Sequence, residues 1–258
     1  MRLMKRILSA AAVLALSASL LVGCSSGTAS SVPVSASSAA ESTVSSVEET
    51  ASSAVDENEA AAAQLLNDLT GSYQELWPVI LADEYKQTWL DDCTALVGEE
   101  NAEAAFEKLS SMVTSDVYGE DAVEAYANGG GAYFCGFTNS LATLTFDGET
   151  STISGTDKDG NALFSHTYHY IGMEPVHGLY EFESDDADSG EFTYFFLAPD
   201  TSAETYHIEF RYGSDAEALS QYDTGEYAYW LASGISTDCD QTMIDNCIEL
   251  FCTENLAG

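Results

Sequence analysis

The sequence predicts an α+β domain, mainly β: helices first, then an antiparallel meandering sheet or small barrel, then a closing helix. Three observations carry this. Residues 57 to 127 hold Ala-, Glu- and Leu-rich stretches with apolar side chains three and four apart. Residues 141 to 212 hold short alternating segments separated by turn pairs such as Asp147-Gly148. A last stripe, Ile244, Cys247, Ile248 and Phe251, recurs at helical spacing. All 14 tyrosines, 11 phenylalanines and three tryptophans follow residue 70, a density that implies a substantial core rich in strand.

The chain opens on Arg2, Lys5 and Arg6, an apolar run from Ile7 to Val22, and Leu21-Val22-Gly23-Cys24. A positive segment, an apolar segment and small residues in that order read as an export signal over 1–23. The apolar run is about 16 residues, short of the ~20 a membrane span needs. The ending resembles the lipobox of bacterial lipoproteins, which implies cleavage before Cys24 and a lipid on its sulfur. The expected location is the outer face of the cell membrane, held by the lipid anchor alone. Residues 24 to 56 are mostly Ser, Ala, Thr, Val and Glu, with one Pro and no aromatic side chain, and read as a disordered tether. The folded domain is expected over 57–258.

Within it, 57–67 favours helix, and Leu66, Leu69, Tyr73, Leu76 and Trp77 extend an apolar face to a break near Pro78. Val79 to Leu96 and Glu99 to Val113 follow as helices, and Asp121 to Ala127 as a short one stopped by Gly129 to Gly131. Strands are expected at 141–146, 150–155, 162–171, 179–183, 192–198 and 204–212, with a last short one at 227–231 and a helix at 242–253. Leu144, Phe146, Tyr168, Tyr170, Tyr180, Phe182, Phe196 and Phe210 are the candidate core.

Once the leader is removed, Lys86, Lys108, Lys158 and Arg211 face 43 acidic residues, a formal charge of about −39. That excludes nucleic acid as a partner. Cys93, Cys135, Cys239, Cys247 and Cys252 remain, an odd number that allows at most two internal bridges, and no Cys-x-x-Cys pair is present. No nucleophile stands with a base, so an enzyme is not expected.

The candidate chemistry lies with the four histidines, His166, His169, His177 and His207. His166 and His169 are three apart and point to opposite faces of a regular strand. In Thr205-Tyr-His-Ile-Glu209, alternation puts Thr205, His207 and Glu209 on one face, and a His and a Glu so placed form half a zinc site. The runs Asp157-Lys-Asp-Gly-Asn161 and Asp185-Asp-Ala-Asp188 read as hairpin turns, lacking the Glu and the helix context of a calcium loop.

Several segments resemble one family. Leu69-Thr-Gly-Ser-Tyr-Gln-Glu-Leu-Trp-Pro78 is similar to its opening motif. Tyr168-His-Tyr-Ile-Gly172 and Leu179-Tyr-Glu-Phe-Glu183 are similar to its Tyr-x-Tyr-x-Gly and Arg-Tyr-Leu-Phe-Glu strands. Phe195-Phe-Leu-Ala-Pro199 and Thr205-Tyr-His-Ile-Glu-Phe210 are similar to its last two. This is the ZinT/YodA zinc-binding family, also found fused to zinc-transport lipoproteins, and the resemblance runs from about residue 65 to 255. It implies a lipocalin-like (calycin) barrel with flanking helices, zinc as the bound metal, and a metal-uptake transporter as partner. The family's three ligand positions fall on Phe195, Thr205 and His207, so only one imidazole is retained. Glu209, His169 and His177 are the candidates to replace the other two. The alternative is a metal-free module that binds a small organic ligand or a protein at the cell envelope.

Overall fold

The computed structural model describes residues 57–257; the expected leader, Cys24 and the expected tether lie outside them. Helix α1 covers 57–68. Strand β1, Gly71–Glu75, follows, and then four helices: α2 Leu76–Ile80, α3 Lys86–Val97, α4 Glu99–Ser111 and α5 Glu120–Ala127. Strands β2 Thr143–Asp147, β3 Thr152–Thr156, β4 Ala162–Met173, β5 Tyr180–Ser184 and β6 Tyr194–Leu197 come next. One-turn helices α6 Ser202–Thr205 and α7 Ala216–Leu219 flank β7, Ile208–Gly213. Strand β8, Ala232–Ser236, and helix α8, Gln241–Leu256, complete the chain. Among the described residues no helix is long and apolar enough to cross a membrane.

The expected lipocalin-like barrel is present. Each strand pairs antiparallel with the next, and β1 pairs with β8 to close an eight-stranded ring. Two closing strands differ from expectation. Residues 71–75 are strand rather than a helical continuation of α1, with Tyr73 opposite Leu144 on one side and Ser236 on the other. The last strand is 232–236 rather than 227–231, because Tyr227 and Ala228 are taken up in the cover over β7. Pro78 does not break a helix. It occupies the first turn of α2, where a missing N–H removes no bond. The span from Val79 to Val97 is in turn two helices, with a 3-10 turn at Asp83–Tyr85 between α2 and α3.

The lumen is filled with aromatic rings. Phe195 lies 5.4 Å from Tyr168 and 5.3 Å from Tyr212, centroid to centroid, and Phe210 lies 5.3 Å from Phe137. Tyr212 Oη donates to the carbonyl of Thr138 at 3.0 Å and accepts from Thr138 N at 2.6 Å, fixing the 133–140 segment beside the rings. Six of the eight candidate core residues are buried. Tyr170 and Tyr180 are half-buried, because β4 and β5 run on past the packed part of the ring. Phe196 is buried on the other face of the sheet, opposite Arg211.

Both faces of β6 and β7 are covered, and this places the site. Lumen residues Phe210 and Tyr212 alternate with Glu209 and Arg211, which face outward. Arg211 is fully buried, and its two terminal guanidinium nitrogens donate to the carbonyls of Leu219, Gln221 and Tyr227. Helix α8 covers the beginning of the same outer face. Asp240 caps it by accepting from Met243 N at 2.9 Å, and Ile244, Cys247, Ile248 and Phe251 form its buried side as expected.

Candidate functional site

The predicted strand face of Thr205, His207 and Glu209 is corrected by the backbone. Thr205 ends α6, Tyr206 takes a left-handed conformation (φ 68°), and β7 begins only at Ile208. The chain still brings Thr205 to His207, by another route. The Thr205 carbonyl receives His207 Nδ1 at 2.7 Å, and the Thr205 hydroxyl donates to the His207 carbonyl at 2.6 Å. A carbonyl only accepts, so Nδ1 carries a proton and Nε2 is the nitrogen left for other chemistry. Nε2 lies 3.8 Å from Glu209 Oε1.

His207 is 2% exposed, in the seam between β7 and α8. Its ring is 5.1 Å from that of Phe251, which in turn packs 4.7 Å from Trp77 of α2. Cys247 Sγ stands 4.0 Å from Nδ1. Burial opposes a charge on this ring, but Cys247 and Glu209 outweigh it and hold the imidazole pKa well above its ordinary value. Two carboxyls that sequence reasoning missed belong to the same field. Burial, and then the charge of Glu209, raise Asp200. Burial raises Glu254 of α8 to about 7; the charge of His207 opposes this, and Glu209 and Asp200 add to it. Glu254 Oε2 is buried without a hydrogen-bond partner. Nothing in the local sequence marks these two: Asp200 comes from the loop between β6 and α6, and Glu254 reaches the seam only through the packing of α8.

The other candidates lie apart from this seam. His169 Nδ1 pairs with Asp185 at 2.7 Å, and His166 Nδ1 with Asp186 at 2.8 Å, so the acidic run of 185–188 serves as a partner for histidines. Through Glu183 and Tyr194, His169 is level with Gly213, six residues and roughly 20 Å along β7 from His207. The ring of His177 packs tilted against that of Tyr222, 3.7 Å between centroids, beside Arg211, and Glu174 lies 3.5 Å from its Nδ1. Phe195, at the family's first ligand position, faces the lumen, on the opposite side of the sheet from Glu209. Among the described residues no group of three or more His, Cys, Asp or Glu side chains is arranged to hold a metal ion.

Two donors on one tetrahedral zinc, with bonds near 2.0 Å, sit roughly 3.3 Å apart. The His207 and Glu209 pair, at 3.8 Å, needs to close by only about half an ångström. The pair fits a metal as two ligands of a site, and a third donor is not in position.

No protein-family model matches the chain, and no curated protein matches it. Among solved structures, the chain is similar to a ZinT-like domain. That structure is the Zn(II)-bound ZinT-like domain of Streptococcus pneumoniae AdcA, at 15% identity and a TM-score of 0.45, covering 72% of this chain and 89% of that one. Zn(II)-bound AdcA from the same organism is similar at 15% identity and a TM-score of 0.42, covering 70% of this chain. The chain spans about a third of that longer protein, 34%.

Proposed function

We propose that this chain is a ZinT-like lipoprotein that binds a divalent metal, zinc first, outside the cytoplasm, and passes it to an uptake transporter. The observation that carries the reading is the fixed tautomer of His207. A metal-binding imidazole typically donates its second N–H to a carbonyl or carboxylate, and the Thr205 carbonyl supplies that acceptor here. Nε2 then faces Glu209, with the carboxyls of Asp200 and Glu254, both raised by burial, in the same seam. Glu209 is the first carboxylate ligand, and a third ligand must come from side chains that move or from water. Lipid on Cys24 would keep the domain at the membrane surface. The motifs at 69–78, 168–183 and 195–210 support the family reading.

Calorimetric titration of zinc into the wild type and His207→Ala tests this. Binding that is lost in the variant supports the reading. Equal binding by both proteins removes His207 from it, and no binding by either removes the metal.

A second reading, a metal-free module for a small organic ligand, has one observation in its favour. A cleft of about 300 Å³ opens beside α2, lined by Trp77, Pro78, Leu81, Val113, Phe134 and Cys135, and Trp77 Nε1 is buried with no hydrogen-bond partner. This is at the lower end of ligand-pocket sizes. The lumen itself is lined with the packed rings of Phe195, Tyr168 and Tyr212.

A further inference from the structure

The cysteines are distributed unevenly. Cys135 lies in the segment beside β8, Cys239 precedes α8, and Cys247 faces His207. Cys93 of α3 and Cys252 of α8 face each other, with Sγ to Sγ at 3.8 Å and both residues fully buried. They are 159 positions apart in sequence. Both are reduced in this structure.

We propose that Cys93 and Cys252 form a disulfide that fastens α8 to α3. The two sulfurs are already in van der Waals contact, and a bond of about 2.05 Å requires them to approach by less than 2 Å. Each thiol gives up its proton, and the two electrons pass to an external disulfide-bonded oxidant, which leaves as two thiols. The exported location expected from the leader is one in which such bonds form and persist. Burial holds both thiols in the protonated form, Cys93 as well as Cys252, and protonated thiols exchange slowly. The bond therefore forms as the chain folds, before α8 is seated, and once formed it is out of reach of mild reductants. It closes a long loop, which is where cross-linking removes the most freedom from the unfolded chain. It also holds the turn of α8 that carries Phe251 and Glu254 against His207.

The experiment uses the full chain. It is unfolded and reduced, refolded with a mixture of oxidised and reduced glutathione, then unfolded without reductant, alkylated, digested and weighed. The expected result is one cross-linked peptide pair containing Cys93 and Cys252, lighter by two hydrogens, with Cys135, Cys239 and Cys247 alkylated. Reduction under denaturing conditions and refolding in reductant should lower the melting temperature by roughly 10 °C or more. The same treatment should leave Cys252→Ala and Cys93→Ala unchanged. Alkylation of both Cys93 and Cys252 in the oxidised sample would overturn the proposal, as would a bridge from either to another cysteine. The peptide map of the wild type decides the matter even where a variant does not fold.

Discussion

Replacing Glu254 by Gln tests the electrostatics of the seam between β7 and α8. Glu254 Oε2 is buried with no partner, and burial, Glu209 and Asp200 together push the carboxyl from 4.5 to about 7 against the opposing charge of His207. A tenfold change in proton affinity is ~1.4 kcal/mol, so a displacement of this size is ~3 kcal/mol without screening. Glu254 is half-buried, and solvent reduces this to about 1–2 kcal/mol. A carboxyl whose folded pKa is raised favours the fold below its unfolded value, and that contribution disappears as pH rises through the folded one. The wild type thus loses about 1–2 kcal/mol from Glu254 between pH 4.5 and 8. Glutamine has nearly the same shape and does not titrate. Groups outside the seam titrate in both proteins and cancel in the difference. Thermal melts of both, in the same buffers, should be nearly equal at pH 4.5, and Glu254→Gln should melt roughly 2–8 °C higher at pH 8. A variant less stable than wild type at pH 8, or an offset that is the same at every pH, would refute the reasoning.

Zinc binding should weaken as pH falls, with a midpoint above 6.5, because zinc must displace a proton from an imidazole whose charged form Cys247 and Glu209 favour; calorimetry in buffers of different ionisation enthalpy should count about one proton released. Phe195→His restores a family ligand in name only. It places an unpartnered imidazole in the lumen, so it should cost about 2–4 kcal/mol in denaturant melts and leave zinc affinity no higher. Gly148→Ala sets a Cβ 2.4 Å from Asn67 Cα and 2.6 Å from Leu66 O, backbone atoms that cannot give way, and should cost about 2 kcal/mol or more while separating α1 from the β2–β3 turn.

Much of the barrel was legible before the structure. From β2 to β5, one face is wetter than the other, so alternation survives in the sequence and the Asp-Gly turns mark the ends. Helix α8 was legible for the corresponding reason, with one face in water and one in the core. The closing strands were not. β1 is five residues long, and its Tyr73 is spaced from Leu69 and Trp77 as a helix would space it. β8 is Ala-Ser-Gly-Ile-Ser, buried on both sides except at its end, and has no polar face to alternate with. The site was half legible. His207 and Glu209 were found together, but their surroundings depend on the left-handed turn at Tyr206 and on α8, some 40 residues further on. Neither is a local property of the strand. Phe195 could not be assigned to the lumen from sequence, because β6 is buried on both faces and its neighbours are apolar either way.

Strand β1 governs how this chain reaches its native state. Its partners lie roughly 70 and 160 positions further on, at Leu144 and Ser236, both opposite Tyr73. The ring thus cannot close until nearly the whole chain is available, and its last step unites the most distant segments. Contacts of such long separation carry a large entropic barrier and make folding slow. In the interval β1 and β7 present unpaired backbone, the condition under which sheets join to other chains. An unfolded precursor crossing a membrane from its N-terminus would deliver β1 first and β8 last. Under those conditions the strong negative charge protects more than solubility at equilibrium: it keeps half-made barrels apart during the time that closure takes.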